Sequence, residues 1–231
     1  MELSKRLKAV AGLVTEGASV ADIGTDHGYV PIWLIQSGKA SRVIAMDVNE
    51  GPLERARGHI RSKRLENVIF TRKSDGLQAL HAGEADTMIA AGMGGGLVIR
   101  ILEDSPEITA DLKEFILQPQ SEIHKVREYL NRHGYRSVEE DMVEEDDKYY
   151  PMMKLVHGEE APYSQEELYY GRLLLKKKNP VLYRFLQREH TLKKRIADRL
   201  ADQTGKGAES RRKELQDELE RIEHAIASYE M

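Results

Sequence analysis

Apolar runs alternate with amphipathic segments along the first two thirds of the chain. Segments 53–65 and 121–134 repeat apolar residues at helical spacing, and a short helix is also expected at 31–37. Between these segments lie runs rich in β-branched residues, typical of buried strands: residues 19–24, 42–48, 67–73, 85–92 and 114–119. Strands that alternate with helices in this way predict a parallel, doubly wound α/β sheet.

The pattern changes near residue 135. Residues 135–158 alternate as two strands joined by a polar turn, which predicts a hairpin at the end of the sheet. Ser164 is followed three residues later by Glu167, a capping box that opens a helix. Pro180 begins the next helix, and the sequence TGKG at 204–207 is expected to end it.

The last helix has the apolar spacing of a coiled-coil seam, with alternating steps of four and three residues. Its seam residues are Leu215, Leu219, Ile222, Ile226 and Tyr229. The preceding helix carries a stripe of Leu182, Phe185, Leu192, Ile196 and Leu200. We therefore predict a Rossmann-like α/β domain over residues 1–160 and an α-helical coiled-coil hairpin over 161–231. A monomer is expected, with a dimer through the C-terminal helices as the open alternative.

Charge is distributed unevenly along the chain. From residue 161 onward, fifteen Lys and Arg exceed twelve Asp and Glu, a net charge of +3, whereas the remainder carries −7. An acidic body with a basic arm indicates an anionic partner for the arm. Four arginines share one helical face beside the apolar stripe, an arrangement suited to phosphate contact: Arg184, Arg188, Arg195 and Arg199. The alternative is a simple solvated face.

The chain lacks cysteine, which excludes disulfides, thiolate metal sites and cysteine nucleophiles. No metal is expected, and the composition fits a reducing cytoplasm. No signal peptide is visible, and no apolar stretch of about 18 residues could span a bilayer. We therefore predict a cytoplasmic protein with no membrane partner.

Residues 20–31, VADIGTDHGYVP, form a glycine turn between a predicted strand and a predicted helix. A phosphate-binding loop needs Gly-Lys-Ser/Thr, which is absent, and a dinucleotide fold needs G-x-G-x-x-G. After Gly24, Asp26 and Tyr29 replace the second and third glycines, and a carboxylate at position 26 would repel a pyrophosphate. S-adenosylmethionine instead presents a cationic amine and a sulfonium, which Asp22 and Asp26 would attract. The turn therefore favours S-adenosylmethionine.

Polar or glycine-rich turns also follow the next three predicted strands. Asp47, 25 residues after Asp22, can accept hydrogen bonds from both ribose hydroxyls. Residues 74–77, SDGL, could recognise the adenine edge, and residues 91–96, AGMGGG, follow the fourth strand. Ligands of such folds bind outside the carboxyl ends of strands, so these turns predict one cofactor site. The plain alternative is that Asp22, Asp26 and Asp47 only cap helices and turns.

The combination of ADIGTDHGYVP, DGL, AGMGG and LQP, with LSKRL near the N-terminus, resembles the bacterial tRNA (adenine-22, N1)-methyltransferases. The similarity covers the whole chain. It implies a Rossmann-like class I methyltransferase sheet with a C-terminal coiled-coil domain that helps to hold tRNA. It also implies methyl transfer from S-adenosylmethionine to N1 of an adenine in the D-arm region of tRNA, with S-adenosylhomocysteine as the other product.

The resemblance also implies a set of cofactor-binding residues at the four turns. They are Asp22, Gly24, His27 and Gly28 at the methionine end, Asp47 and Val48 at the ribose, Ser74, Asp75 and Gly76 at the adenine, and Ala91, Gly92, Met93 and Gly94 after the fourth strand. The last four stand where exocyclic-amine methyltransferases carry an Asn/Asp-Pro-Pro-aromatic motif. That motif is absent here, and N1 does not need it because N1 already has an in-plane lone pair.

Asp26 is the predicted catalytic residue. N1 must lie in line with the methyl–sulfur bond. A carboxylate near the base could accept a hydrogen bond from the exocyclic amine, orient N1 and stabilise the cationic product. The alternatives are that Asp26 caps the turn before the following helix or binds the amine of the cofactor.

Five further residues are candidates for the substrate pocket. Tyr29 could stack on the target base or be a buried aromatic, and His27 could shape the pocket or only hold the backbone. Gln118 and Pro119 could contact the adenine edge, and Arg6 could reach the RNA or the mouth of the site.

Two other functions stay open. A methyltransferase for a small molecule or a protein would have the same cofactor site, although the basic hairpin speaks against it. A non-catalytic RNA-binding protein with a relic cofactor fold is disfavoured by the intact acids and glycines. Only the resemblance supplies adenine-22 as the target.

Overall fold

The computed structural model describes residues 3–200 and 205–230, with Lys206 described by its backbone alone. The chain divides into two compact units, one ending at Ala161 and one beginning at Pro162. Within the described residues, the first unit is built around a seven-stranded sheet. No helix of the described part is long and apolar enough to cross a membrane.

The elements of the first unit follow the predicted alternation. Its strands are β1 (Ala18–Ile23), β2 (Ala40–Asp47), β3 (Ile69–Lys73), β4 (Thr87–Gly94), β5 (Glu114–Ser121), β6 (Tyr135–Glu145) and β7 (Lys148–His157). Its helices are α1 (Lys5–Gly12), α2 (Tyr29–Gln36), α3 (Glu50–Ser62), α4 (Gly95–Glu103), α5 (Pro106–Asp111) and α6 (Ile123–Arg132). Helices α1, α4 and α5 are absent from the sequence prediction. Helix α4 is missed because it opens with Gly95 and Gly96, which by composition indicate a loop.

The strands are ordered β3-β2-β1-β4-β5-β7-β6, and β7 is antiparallel to its neighbours. The first five strands run parallel to one another, which confirms the predicted doubly wound sheet. The predicted hairpin at the end of the sheet is also confirmed. Asp146 and Asp147 turn it, with φ of 51° and 57°, the left-handed conformations that a tight two-residue hairpin turn requires.

Alternate side chains of the central strands enter two separate apolar cores, one on each face of the sheet. On β1, Ala21 and Ile23 pack into one core, and Val20 packs into the other. On β2, Ile44 belongs to the first core and Val43 to the second. A sheet buried on both faces is rigid, so the carboxyl ends of its strands hold fixed positions for a site.

The second unit consists of α7 (Gln165–Tyr170), α8 (Arg172–Lys176), α9 (Pro180–Leu200) and α10 (Lys206–Ala227). The predicted capping box of Ser164 and Glu167 opens α7, and Pro180 begins α9. The predicted helix break at 204–207 begins at Thr204, which lies outside the described residues; within them, α10 begins at Lys206.

Helices α9 and α10 pack as an antiparallel hairpin. Nε2 of His190 lies 3.0 Å from Oε1 of Glu223, and Nζ of Lys193 lies 2.7 Å from Oε2 of Glu218. Residue numbers therefore increase along α9 where those of its partners on α10 decrease. This arrangement agrees with the predicted helical hairpin.

One residue of the predicted seam is misplaced. Leu192 is 49% exposed, whereas Leu186, which the seam omitted, is completely buried. On α10, Leu215 and Ile222 are buried as expected, and Ala225 joins them. In the first turns of α9 the buried apolar side chains are Leu182 and Leu186, which are four residues apart. Leu192 does not lie on the helix face that these two residues share, so it is exposed.

Candidate active site

The carboxyl ends of β1 and β2 bring the first predicted residues together. Gly24 and Thr25 each donate a backbone hydrogen bond to the carbonyl oxygen of Met46, at 2.8 and 2.9 Å. These bonds hold the glycine turn after β1 against the end of β2, where Asp47 lies. The sheet therefore places the methionine-end turn and the predicted ribose acid side by side.

Asp22 is the buried acid of this edge. Its residue is 6% exposed, and burial raises the pKa of its carboxyl group from 3.8 to about 7, with the charge of Asp47 acting in the same direction. A carboxyl group kept from water ionises readily only when a positive charge comes close. Asp22 is therefore suited to the ammonium group of a ligand.

Asp47 has one oxygen in a structural role. Its Oδ1 accepts a hydrogen bond of 2.7 Å from the backbone N–H of Asn49, the residue that precedes α3. The turn-capping alternative is thus correct for that oxygen, while Oδ2 has no hydrogen bond within the part of the chain that the structure describes. The neighbouring Val48 is 52% exposed, so an apolar surface lies next to the acid.

The predicted adenine loop uses its polar side chains internally. The buried Ser74 hydroxyl donates to the Gly76 carbonyl at 2.8 Å and accepts from the Ala79 N–H at 3.1 Å. Asp75 accepts two hydrogen bonds from the guanidinium of Arg100, at 2.9 and 3.2 Å. The Ser74 side chain thus shapes the loop, and the loop backbone is the better candidate for contact with an adenine.

Residues 91–94 are the last four residues of β4, and α4 begins directly after them at Gly95, so the predicted turn after the fourth strand is instead the irregular end of that strand. This end reaches the turn after β1. Gly92 has φ of 82°, in the left-handed region. Met93 is half-buried, and a Cβ added to Gly24 would clash with its Cε atom. Ala91 is paired with Gln118, and Gly94 with Ser121, so the end of β4 also lies beside the end of β5.

Asp26 stands at the open side of the glycine turn, with 67% of its side chain exposed. Its Oδ1 lies 3.2 Å from Nη2 of Arg55 and 3.4 Å from Nε2 of His27. Within the described residues, neither oxygen of Asp26 accepts a backbone hydrogen bond from the turn before α2, whose N-cap is Gly28, so the structure gives no support to the alternative that Asp26 caps that turn. The carboxylate is therefore accessible to an incoming nucleotide.

Three rings stack beside Asp26. The ring centroid of Tyr29 lies 5.1 Å from those of both His27 and His59, and the two histidine rings are 5.7 Å apart. His59 Nδ1 lies 2.8 Å from the carbonyl oxygen of His27, whose φ is 60°. A left-handed backbone is unfavourable for histidine, so this contact stabilises the turn. Sequence reasoning missed His59 because nothing local connects α3 with residue 27.

Gln118, Pro119 and Arg6 lie at the β5 end of the site. Gln118 is completely buried, and its Oε1 accepts a hydrogen bond of 2.7 Å from Nη1 of Arg6. The Arg6 guanidinium also lies 5.4 Å from the ring centroid of Tyr150. Pro119 is buried as well. In this structure Gln118 holds Arg6 and exposes no surface to a base, whereas Arg6 is half-buried near Gly92.

The predicted phosphate-binding arginines belong to the second unit. All of them are exposed on α9: Arg184, Arg188, Arg195 and Arg199.

The residues at the sheet edge fit S-adenosylmethionine. Gly24 and Gly28 have φ of 74° and 69°, in the left-handed region that favours glycine, and side chains there would press on Met93 and Ala56. The buried Asp22 is placed for a cationic amine, and Asp47 has an oxygen for ribose hydroxyls. This donor set is acidic, which suits a ligand that carries no phosphate.

Comparisons with known proteins agree with this geometry. A family model described as a methyltransferase domain matches residues 3–153. The chain is 34% identical over 235 positions to the tRNA (adenine(22)-N(1))-methyltransferase of Bacillus subtilis, covering 98% of each chain.

Two solved structures match the fold along almost its whole length. One is a Streptococcus pneumoniae protein described as a candidate tRNA (m1A22) methyltransferase, in complex with S-adenosyl-L-methionine; it is 32% identical, with a TM-score of 0.85, over 97% of this chain and 100% of that one. The other is M. capricolum TrmK with the cofactor product S-adenosyl-homocysteine, 26% identical, with a TM-score of 0.85, over 99% and 100%. The chain therefore belongs to the tRNA (adenine(22)-N(1))-methyltransferase family.

Proposed function

We propose that this protein transfers a methyl group from S-adenosylmethionine to N1 of adenine 22 in tRNA. The observation that carries the proposal is the similarity to the Bacillus subtilis enzyme along 98% of both chains, because the geometry alone does not name a nucleotide. The site at the strand ends is acidic, which suits S-adenosylmethionine because that cofactor carries no phosphate. We further propose that the protein acts as a cytoplasmic monomer, as the sequence predicts.

The cofactor, when bound, supplies a methyl group on a positively charged sulfur. The protein has to hold it and orient the base. Asp22 neutralises the amine, Asp47 Oδ2 accepts from the ribose, and the backbone of residues 74–76 borders the adenine. The glycines of the turn after β1 and of the end of β4 let the backbone approach closely at the reacting end.

Asp26 acts on the target base. Its exposed carboxylate accepts a hydrogen bond from the exocyclic amine of the adenine, which fixes the rotation of the base and points N1 at the methyl group. The same charge stabilises the cationic N1-methyladenine as it forms. Tyr29, beside Asp26 in the ring cluster, offers a face on which the base can stack.

The second unit holds RNA. The exposed arginines of α9 form charge-assisted hydrogen bonds with phosphates, and the few aromatic side chains on that face favour reading of the backbone of folded RNA. Residues 1–160 are thus the catalytic domain, and residues 161–231 are an RNA-contacting domain.

The test is methyl transfer from labelled S-adenosylmethionine to unmodified tRNA, with digestion and mass spectrometry to locate the product. N1-methyladenine at position 22 is expected from the wild type. Asp26→Asn should lower kcat by about 10²-fold or more while S-adenosylhomocysteine binding is retained. A protein that binds the cofactor but leaves every tRNA unmodified would instead be a small-molecule methyltransferase or a relic fold.

A further inference from the structure

Helix α3 carries a row of basic side chains that the cofactor site does not use. Arg55, His59 and Lys63 follow one another at four-residue steps, and Lys63 is the C-cap of the helix. Each step advances about 6 Å and turns by about 40°, so the three side chains share one side of the helix. We call them the α3 row.

The α3 row starts at the proposed catalytic carboxylate. Arg55 pairs with Asp26 at 3.2 Å, and His59 holds the backbone of His27 at 2.8 Å. Lys63 is exposed, and its ammonium has no hydrogen bond or ion pair within residues 3–200 and 205–230. The row therefore leads from the site to open solvent with a free cation at its far end.

The ion pair between Arg55 and Asp26 is exposed to solvent. The side chains are 49% and 67% exposed, and ion pairs in water contribute little. A phosphate offers Arg55 a bidentate, doubly hydrogen-bonded partner, and its binding also releases counterions from the RNA. Arg55 can thus exchange Asp26 for a phosphate at small cost, which leaves the carboxylate free to accept from the adenine amine.

We propose that the α3 row binds the RNA backbone next to the target nucleotide, and that Arg55 is a positioning residue that releases Asp26 when a phosphate takes its place. This inference rests on the proposed function and adds an RNA surface on the catalytic domain to that on α9.

The surface is tested by the salt dependence of tRNA methylation. Arg55→Gln and Lys63→Gln should each raise KM for tRNA several-fold and reduce the slope of log KM against log salt concentration by about one, with unchanged S-adenosylhomocysteine binding. Arg132→Gln is the matched control, because Arg132 is an exposed arginine in a surface ion pair with Glu128, on the last turn of α6. Slopes equal to wild type, or an equal change in Arg132→Gln, would overturn the proposal.

The exchange is tested by tRNA affinity in a double-mutant cycle. Asp26→Asn removes the competitor of the phosphate, so it should tighten tRNA binding a few-fold, and this gain should vanish in the Arg55→Gln background. An equal gain in both backgrounds would mean general charge repulsion and would refute the exchange. Wild-type tRNA methylation is measured in the same series. If it is absent, the proposed function fails. If it is normal but the variants bind tRNA as the wild type does, only the proposed role of the α3 row fails.

Discussion

At the scale of single residues, the site depends on what surrounds each group. Asp22 and Asp26 are four residues apart, yet one is buried and the other is exposed. Burial makes Asp22 respond to pH near neutrality, while exposure lets Asp26 meet solvent, Arg55 and an incoming base. The same chemical group thus has two different ionisation environments because its solvation differs.

Asp22 makes cofactor affinity depend on pH. With a pKa of about 7 in the ligand-free protein, only the ionised form attracts the ligand's ammonium group. S-adenosylhomocysteine affinity should therefore fall as the pH drops below 7, by about tenfold per unit, because protonation must be reversed on binding. Calorimetry between pH 5.5 and 7.5 measures this. Asp22→Asn should bind weakly with no such slope; a slope that persists in the variant would assign the titration to another group.

Gly38 is a matched control for a substitution of Gly24, because the two glycines have almost the same backbone φ. Gly24 and Gly38 have φ of 74° and 73°, but a Cβ at Gly24 would clash with Met93, whereas nothing lies within 4 Å of one at Gly38. Both Ala variants should lose about 1–2 kcal/mol of unfolding free energy through backbone strain. Only Gly24→Ala should also lower S-adenosylhomocysteine affinity, by a few-fold, because the end of the Met93 side chain must move within the candidate site. Equal binding by both variants would show that the turn tolerates a side chain.

At the scale of elements, long-range contacts decide which face of a helix is buried. In α9, Leu186 is fully buried and Leu192 is 49% exposed, although both fit a helical repeat of apolar residues. In α6, the buried side chain of Arg127 forms an ion pair with the buried Glu140 of β6. Such contacts join elements that are far apart in sequence.

The pair of leucines gives a direct test of the corrected seam. Leu186→Ala should lower the free energy of unfolding by about 2–5 kcal/mol, because it leaves a cavity. Leu192→Ala should change it by no more than about 0.5 kcal/mol. Urea unfolding, followed by circular dichroism, measures both variants; a larger loss for Leu192→Ala would restore the seam predicted from the sequence.

The ion pair of Arg127 and Glu140 should be sensitive to loss of one partner. Glu140→Gln leaves an uncompensated buried guanidinium and should lower stability by about 3–5 kcal/mol. The double variant Arg127→Met/Glu140→Leu should recover much of that loss, because it removes both charges at similar volume. If the double variant were less stable than Glu140→Gln, the pair itself would be a net source of stability.

At the scale of the whole molecule, net charge differs between the two units of the chain. The sheet unit is acidic and contains the candidate cofactor site, while the helical unit has a net positive charge and exposes arginines on α9. The local exception is the α3 row, which gives the acidic unit its own basic surface. An RNA substrate would therefore meet positive charge on both units.

The two helices of the hairpin should contribute differently to tRNA binding. Arg195→Gln/Arg199→Gln on α9 should raise KM for tRNA about tenfold and reduce its salt slope by about two, with unchanged affinity for S-adenosylhomocysteine. Arg211→Gln/Lys213→Gln, on α10, removes the same charge and should have little effect, because Arg211 is already paired with Glu214 and Glu218. An equal rise in KM for tRNA in the two double variants would mean that tRNA binding depends on net charge and not on the arginine face of α9.

Local sequence alone determined the positions of the strands, most helices and the glycine turns of the site. Those features arise from interactions within a few residues, so alternation, caps and turn residues report them directly. The same pattern placed Asp22, Asp47 and residues 91–94 at strand ends, and therefore on one edge of the sheet.

Tertiary structure decided what each of those residues touches. In the folded protein Asp26 forms an ion pair with Arg55, and His59 contacts the backbone of His27. The buried Gln118 accepts a hydrogen bond from Arg6, and the Ser74 hydroxyl donates one within its own loop. Tertiary structure also chose Leu186 over Leu192 for the helical seam. Most of these outcomes depend on atoms contributed by distant segments, and burial and contact become defined only when those segments pack together.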